Sequence, residues 1–124
     1  LSDPGQGRAS FKELSFTKKV DTASVPLMMA CVAGNLYEKV TIEFRTPGEG
    51  PGPSGVRVFL RIELGTVLVQ SLNMSGSDGD DVVEEDVKLV YGSQKTTYYK
   101  QDAQGNLTEA GVFLWSVISN TPQF

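Results

Sequence analysis

The densest run of chemically capable side chains is acidic: Asp78, Asp80, Asp81, Glu84, Glu85 and Asp86 crowd into one short stretch. Hard oxygen ligands at alternating positions are what Ca²⁺ takes. An EF-hand loop also needs glycine sixth and a closing glutamate twelfth. Counted from Asp78, Gly79 comes second and Glu85 eighth, so the run reads as a solvated hairpin loop. Glycines at 48, 50, 52 and 55 suggest a phosphate cradle, but a P-loop needs Lys followed by Ser or Thr opening a helix. Pro47, Pro51 and Pro53 interrupt instead, which leaves a projecting loop. Glu43 or Glu63 facing another acid across a sheet would make a glycosidase-like pair, yet no spacing singles one out. Cys31 is the single cysteine and histidine is absent. An internal disulfide, a cysteine-zinc cluster and a Ser-His-Asp triad are therefore excluded. No cofactor, metal site or enzymatic activity is expected.

These residues belong to a chain of 124 residues and 13.4 kDa, enough for one domain with one core. Eleven basic against fifteen acidic residues give a formal net charge of −4, which disfavours attraction to a phosphate backbone and hence nucleic-acid binding. No run reaches the apolar length of a membrane-spanning helix, and no signal peptide pattern opens the chain. Membrane insertion is not expected.

Alternation organises most of the sequence. In FKELSFTKKV (11–20), Leu14 and Phe16 fall on one side of an extended segment and Glu13, Ser15 and Thr17 on the other. From Asp21 the pattern turns helical: Asp21, Thr22 or Ser24 can cap, Pro26 suits a first turn, and Gly34 with Asn35 stops it. The apolar run Leu27 to Ala33 between them predicts a short, largely buried helix, with Leu27, Met29 and an inert Cys31 in the core. Strands follow at 40–45 and, most clearly, at 56–64, where Val56, Val58, Leu60, Ile62 and Leu64 oppose Arg57, Phe59, Arg61 and Glu63. Gly65 marks a bend before a strand over 66–72. Further strands are expected at 87–91, 96–100 and 111–119, the last apolar on both faces and so central or at an interface. Six or seven strands with one helix imply a compact antiparallel β-barrel or sandwich, mainly β, with the helix packed on its flank.

The order of segments carries a resemblance. Residues 14–44, then 56–76, then the acidic loop with EEDVKLVYGSQKTTYYKQD (84–102) resemble the Hcp family, the haemolysin-coregulated proteins of bacterial type VI secretion. The most specific pieces are Phe16-Thr17-Lys18 with Val20-Asp21, Leu27-Met28-Met29-Ala30-Cys31 with Gly34, and Leu68-Val69-Gln70-Ser71. The resemblance covers nearly all of residues 9–119, within a single domain 1–124. Two departures stand out. The family's N-terminal segment, a first strand and a long protruding loop, has no counterpart ahead of Ser10. The closing strand has Phe113-Leu114-Trp115-Ser116 where the family more often has a glycine and a tryptophan followed by polar residues.

The resemblance implies a β-barrel subunit of hexameric rings that stack into the inner tube of the secretion machine, with effector proteins held in the lumen. It further implies other secretion components as partners, assembly in the bacterial cytoplasm and export without a cleaved signal peptide. Interface membership is expected for Arg57, Phe59, Arg61, Phe113 and Trp115, because aromatic and two-sided apolar strand residues gather where subunits meet. Ring stacking is expected at loops containing Gly50, Pro51, Ser77 and Asp78. Arg57, Arg61, Glu43 and Glu63 read equally well as ordinary cross-strand pairs on a solvated face. The rival functional reading is a monomeric β-sandwich that recognises a protein or glycan through its loops.

Overall fold

The computed structural model describes residues 12–46, 57–77, 79, 82–104 and 106–124. Among these residues, five strands and one helix follow in the order β1 (Glu13–Lys19), α1 (Ser24–Ala33), β2 (Leu36–Arg45), β3 (Val58–Ser75), β4 (Glu84–Gln101) and β5 (Leu107–Ser116). Fewer strands are present than the sequence pattern suggests, because β3 and β4 each merge two expected runs into one of 18 residues. The sheet order is β1-β4-β3-β2, with β5 also on β4. β1 runs antiparallel to the first half of β4, Glu13 opposite Val90 through Lys19 opposite Glu84. β5 runs antiparallel to the second half, Ser93 opposite Ser116 through Gln101 opposite Leu107. This path has ends, so among the described residues the sheet is open where the sequence suggested closure. The mainly β, antiparallel class with one helix is as expected.

The bend expected at Gly65 is taken up one residue later. Thr66 adopts φ 52°, a conformation unusual for a residue with a Cβ. Its effect is visible in burial: Ile62 and Leu64 are buried before it, Val67 and Val69 after it, so the buried positions switch from even to odd. One residue out of phase lets a long strand keep its apolar side inward through a twist. Beside it, Gly92 of β4 leaves room for the Ile118 side chain, which a Cβ there would approach to 2.8 Å.

Two compact units divide these elements, and the long strands contribute to both. The first comprises the described residues within 12–36 and 68–91. Its buried apolar residues are Ala30, Val69, Val87, Leu89 and Tyr91. The helix begins at Ser24 with Ala23 in the capping position, and Pro26 falls in the first turn, where its missing N–H costs no helical bond. Gly34 ends the helix at φ 70°, its N–H donating to the Ala30 carbonyl at 2.9 Å. The second unit comprises the described residues within 37–67 and 92–124, with Ile62, Leu64, Val67 and Thr97 buried. A bulge between Tyr98 and Tyr99 interrupts the β4–β5 ladder. Beyond β5 the chain folds back, with Val117 N–H donating to Gly92 O at 2.7 Å.

The helix is not largely buried. Only Ser24 and Ala30 are, with Leu27 and Cys31 half-buried, while Met29 is 66% exposed. The geometric reason is that a ten-residue helix lying on a sheet can turn only one stripe toward it. Ser24, Leu27, Ala30 and Cys31 form that stripe at helical spacing. The Cys31 thiol lies 3.7 Å from the Gln70 carbonyl, which it faces as a weak donor.

Candidate interaction surfaces

In the first unit, the described part of the acidic run belongs to a strand. Glu84, Glu85 and Asp86 are not loop residues but the opening of β4, and Glu85 is wholly buried beside Val87 and Leu89 on the inward side. The signal was available: the odd-numbered apolar positions 91, 89 and 87 extend back to 85 at a period of two. Glu85 lies directly opposite Lys18 of β1, and the Lys18 ammonium binds its Oε1. Ser24 Oγ donates to the same oxygen at 2.8 Å and accepts from the Asp21 N–H at 2.9 Å. Asp21 Oδ1 in turn takes Lys18 Nζ at 2.7 Å and the Ala23 N–H at 2.9 Å. Glu85 Oε2 is buried without a hydrogen-bond partner. This network ties the start of α1 to β1 and β4.

Its electrostatics follow from the contacts. Partial burial pulls the Lys18 pKa down, but the bonds to Asp21 and Glu85 outweigh it and hold the ammonium above its usual range. The Lys18 bond, followed by the Ala23 N–H, holds the Asp21 carboxyl below the usual carboxylate range. Asp78, Asp80 and Asp81 lie outside the described residues.

Among the described residues, the other side of the helix is bare. Val25, Met28, Met29 and Val32 are exposed by 62, 38, 66 and 91%. Spaced i, i+3, i+4 and i+7, they form one stripe and, with Ala33, line a shallow apolar depression of about 420 Å³. Leu36 extends the apolar surface at 65% exposure.

In the second unit the charges form an open ladder. Glu43 Oε2 accepts from Arg61 Nε at 3.0 Å, while its Oε1 takes Arg45 at 2.8 Å. Arg61 also reaches the Tyr99 hydroxyl at 3.1 Å. Lys39 pairs with Glu63 at 2.7 Å and lies 6.0 Å from the centre of the Phe124 ring. Hydrogen bonds from Arg45, then Arg61, hold the Glu43 carboxyl below its usual range. Arg61 and Glu63 are thus engaged in cross-strand pairs within the chain, the ordinary alternative that their alternation allowed.

The remaining expected interface residues occupy this unit too. Arg57 is half-buried and its backbone closes the β2–β3 hairpin against Thr46, N–H to Oγ1 at 3.1 Å and carbonyl to N–H at 2.7 Å. Phe59 is half-buried against Phe44, ring centres 6.4 Å apart and tilted 51°. Phe113 and Trp115 share one side of β5, opposite Thr96 and Gln94, Phe113 exposed by 38% and Trp115 half-buried. Among the described residues β4 is the one strand that β5 pairs with, apart from a bridge from its last residue Ser116 to Thr121, so its two apolar faces do not mark a central strand. Val112 and Ile118 are 46 and 78% exposed. Ser77 is exposed, whereas Gly50, Pro51 and Asp78 lie outside the described residues.

Known proteins share both the sequence and the architecture. The family profile described as "Type VI secretion system effector, Hcp" matches residues 1–98. The protein named hcp1 of Pseudomonas aeruginosa is 37% identical over 98 residues, covering 79% of this chain and 58% of its own length. The chain therefore spans less than two thirds of that curated relative. A solved structure described as a type six secretion system protein superposes with a TM-score of 0.78 at 28% identity, covering 99% of this chain and 74% of its own. Hcp1 from Salmonella typhimurium shares the fold at a TM-score of 0.68 and 22% identity, covering 97% and 73% respectively.

Proposed function

The chain belongs to the Hcp family of type VI secretion, and on that premise we propose that it is a structural, single-domain subunit of the secretion tube and not an enzyme. Its subunits close into hexameric rings, and the rings stack into the tube through which effector proteins travel. The family match over residues 1–98 carries this reading. Its physical support is the exposed apolar surface on α1 and β5, the kind of face that self-assembly covers. The subunit assembles in the bacterial cytoplasm beside other secretion components and is then exported without a cleaved signal peptide.

Ring contacts are assigned to Phe59, Phe113 and Trp115 with Arg57 and Arg61 at their margin, and stacking to the loops containing Gly50, Pro51, Ser77 and Asp78. Phe59→Glu is expected to weaken assembly while leaving the fold. Negative-stain electron microscopy of the purified protein, with native mass spectrometry, tests the reading. Annular particles with six times the mass of the 13.4 kDa chain are expected. A uniform population of single chains would overturn it in favour of a monomeric module that binds a protein or glycan through its loops.

A further inference from the structure

We infer that residues 117–124 form a clasp that holds the bend of β3, with Ile118 bearing on Thr66 across the side-chain-free position at Gly92. The clasp lies wholly within the second unit and does not depend on the ring reading.

The bend is strained. Thr66 stands at φ 52°, and a β-branched side chain in the left-handed region is a backbone outlier that persists only where its surroundings impose it. Gly65 beside it would take that conformation freely, so local preference does not place the bend at Thr66. Leu64 and Val67, both fully buried, fix the chain on either side, but Thr66 itself is exposed. The segment after β5 meets it there. A Cβ on Gly92 would lie 2.8 Å from Ile118 Cδ1 and 3.4 Å from Thr66 Cβ, so the two side chains converge on one point. The Val117 N–H donates to the Gly92 carbonyl at 2.7 Å, and the Ile118 N–H reaches the same oxygen at 3.4 Å. Further along, Phe124 Cε1 comes within 3.7 Å of where a Cβ on Gly65 would stand, with Lys39 6.0 Å from the ring centre. One segment thus covers both glycines beside the bend.

That segment is held in shape by its own bonds. Ser116 and Thr121 exchange both backbone hydrogen bonds, at 2.8 and 3.3 Å. Ser116 Oγ accepts the Ser119 N–H at 3.2 Å, the Ser119 and Thr121 hydroxyls lie 2.6 Å apart, and Gln123 Nε2 donates to Ser119 Oγ at 2.9 Å. Asn120 completes the turn at φ 56°, a conformation that asparagine tolerates. Ile118 is 78% exposed, so burial gives it little to contribute, and what its position supplies is contact with the bend.

Ile118→Ala separates a clasp from an ordinary surface residue. Truncating a side chain this exposed ordinarily leaves stability nearly unmoved. A clasp residue is instead expected to lower the urea midpoint and to shift the Thr66 Cα and Cβ resonances from left-handed toward extended values. Ile118→Val, which removes Cδ1 alone, is expected to do the same to a smaller degree and serves if Ile118→Ala misfolds. Thr66→Asn gives the bend a residue suited to it. It is expected to raise the midpoint of the wild-type chain and to reduce the loss caused by Ile118→Ala, because residue 66 then holds its conformation unaided. Equal losses from Ile118→Ala with and without Thr66→Asn overturn the clasp, as does an Ile118→Ala chain whose midpoint and Thr66 resonances match the wild type. A midpoint that falls on Thr66→Asn overturns it too, since the bend then carries no strain to hold.

Discussion

The Lys18–Glu85 pair and the Arg61–Glu43 pair use the same chemistry in opposite surroundings. Glu85 has no exposed side-chain surface and shares one oxygen between an ammonium and a hydroxyl. Glu43 keeps 26% of its side chain in water and is flanked by two guanidinium groups that are 38 and 58% exposed. A buried carboxylate that loses its cation has no solvent to replace it, whereas an exposed one does. The first pair therefore makes the position of α1 depend on one lysine. The second decorates a ladder that its strands hold without help.

The sharpest way to break this contrast is to remove the cations. Lys18→Met is expected to cost about 3–5 kcal/mol in urea unfolding, because it strands Glu85 in the interior. The double variant Lys18→Met/Glu85→Leu should recover most of that loss; if it does not, the cost lies in packing and not in the stranded charge. Ser24→Ala comes next, at about 1.5–3 kcal/mol for a hydrogen bond to a charged group, and helical circular dichroism should weaken with it. Glu43→Ala should leave the urea midpoint nearly unmoved, and the small remaining change should shrink in high salt.

The smallest effect is pH. Asp21 has a lowered folded pKa, so its contribution is present above the unfolded value of 3.8 and is lost as pH falls through the folded value. Lys18 has a raised folded pKa, so its contribution is full below the unfolded value of 10.5 and is lost as pH rises through the folded one. Stability measured by urea unfolding across pH should decline at both extremes, and Asp21→Asn should flatten the acid side and reduce the alkaline decline to the part that Glu85 supports. An acid profile unchanged by Asp21→Asn would remove Asp21 from the latch.

Local rules made some of these features readable in advance. The alternation of Val58 to Leu64 specified β3, and the Gly34 stop specified the end of α1, because both depend on residues only a few positions apart. Glu85 was misplaced in a loop because a run of six acids outweighed a period-two pattern that also passed through it. Gly65 drew the bend to itself, although Thr66 adopts the left-handed conformation, because glycine is the residue that tolerates it best.

Composition and spacing alone determined a net negative charge, the absence of histidine and a mainly β chain with one helix, and the quoted segments in their order carried the resemblance to one secretion family. Only the tertiary structure decided which side of α1 is bare, that Lys18 faces a buried glutamate 67 positions away in sequence numbering terms, and that β5 pairs with one strand. The physical reason is that propensity and periodicity act within a turn or a strand. Burial and pairing depend on which distant segment arrives opposite, and in an apolar helix with no charged residue the sequence marks no outward side.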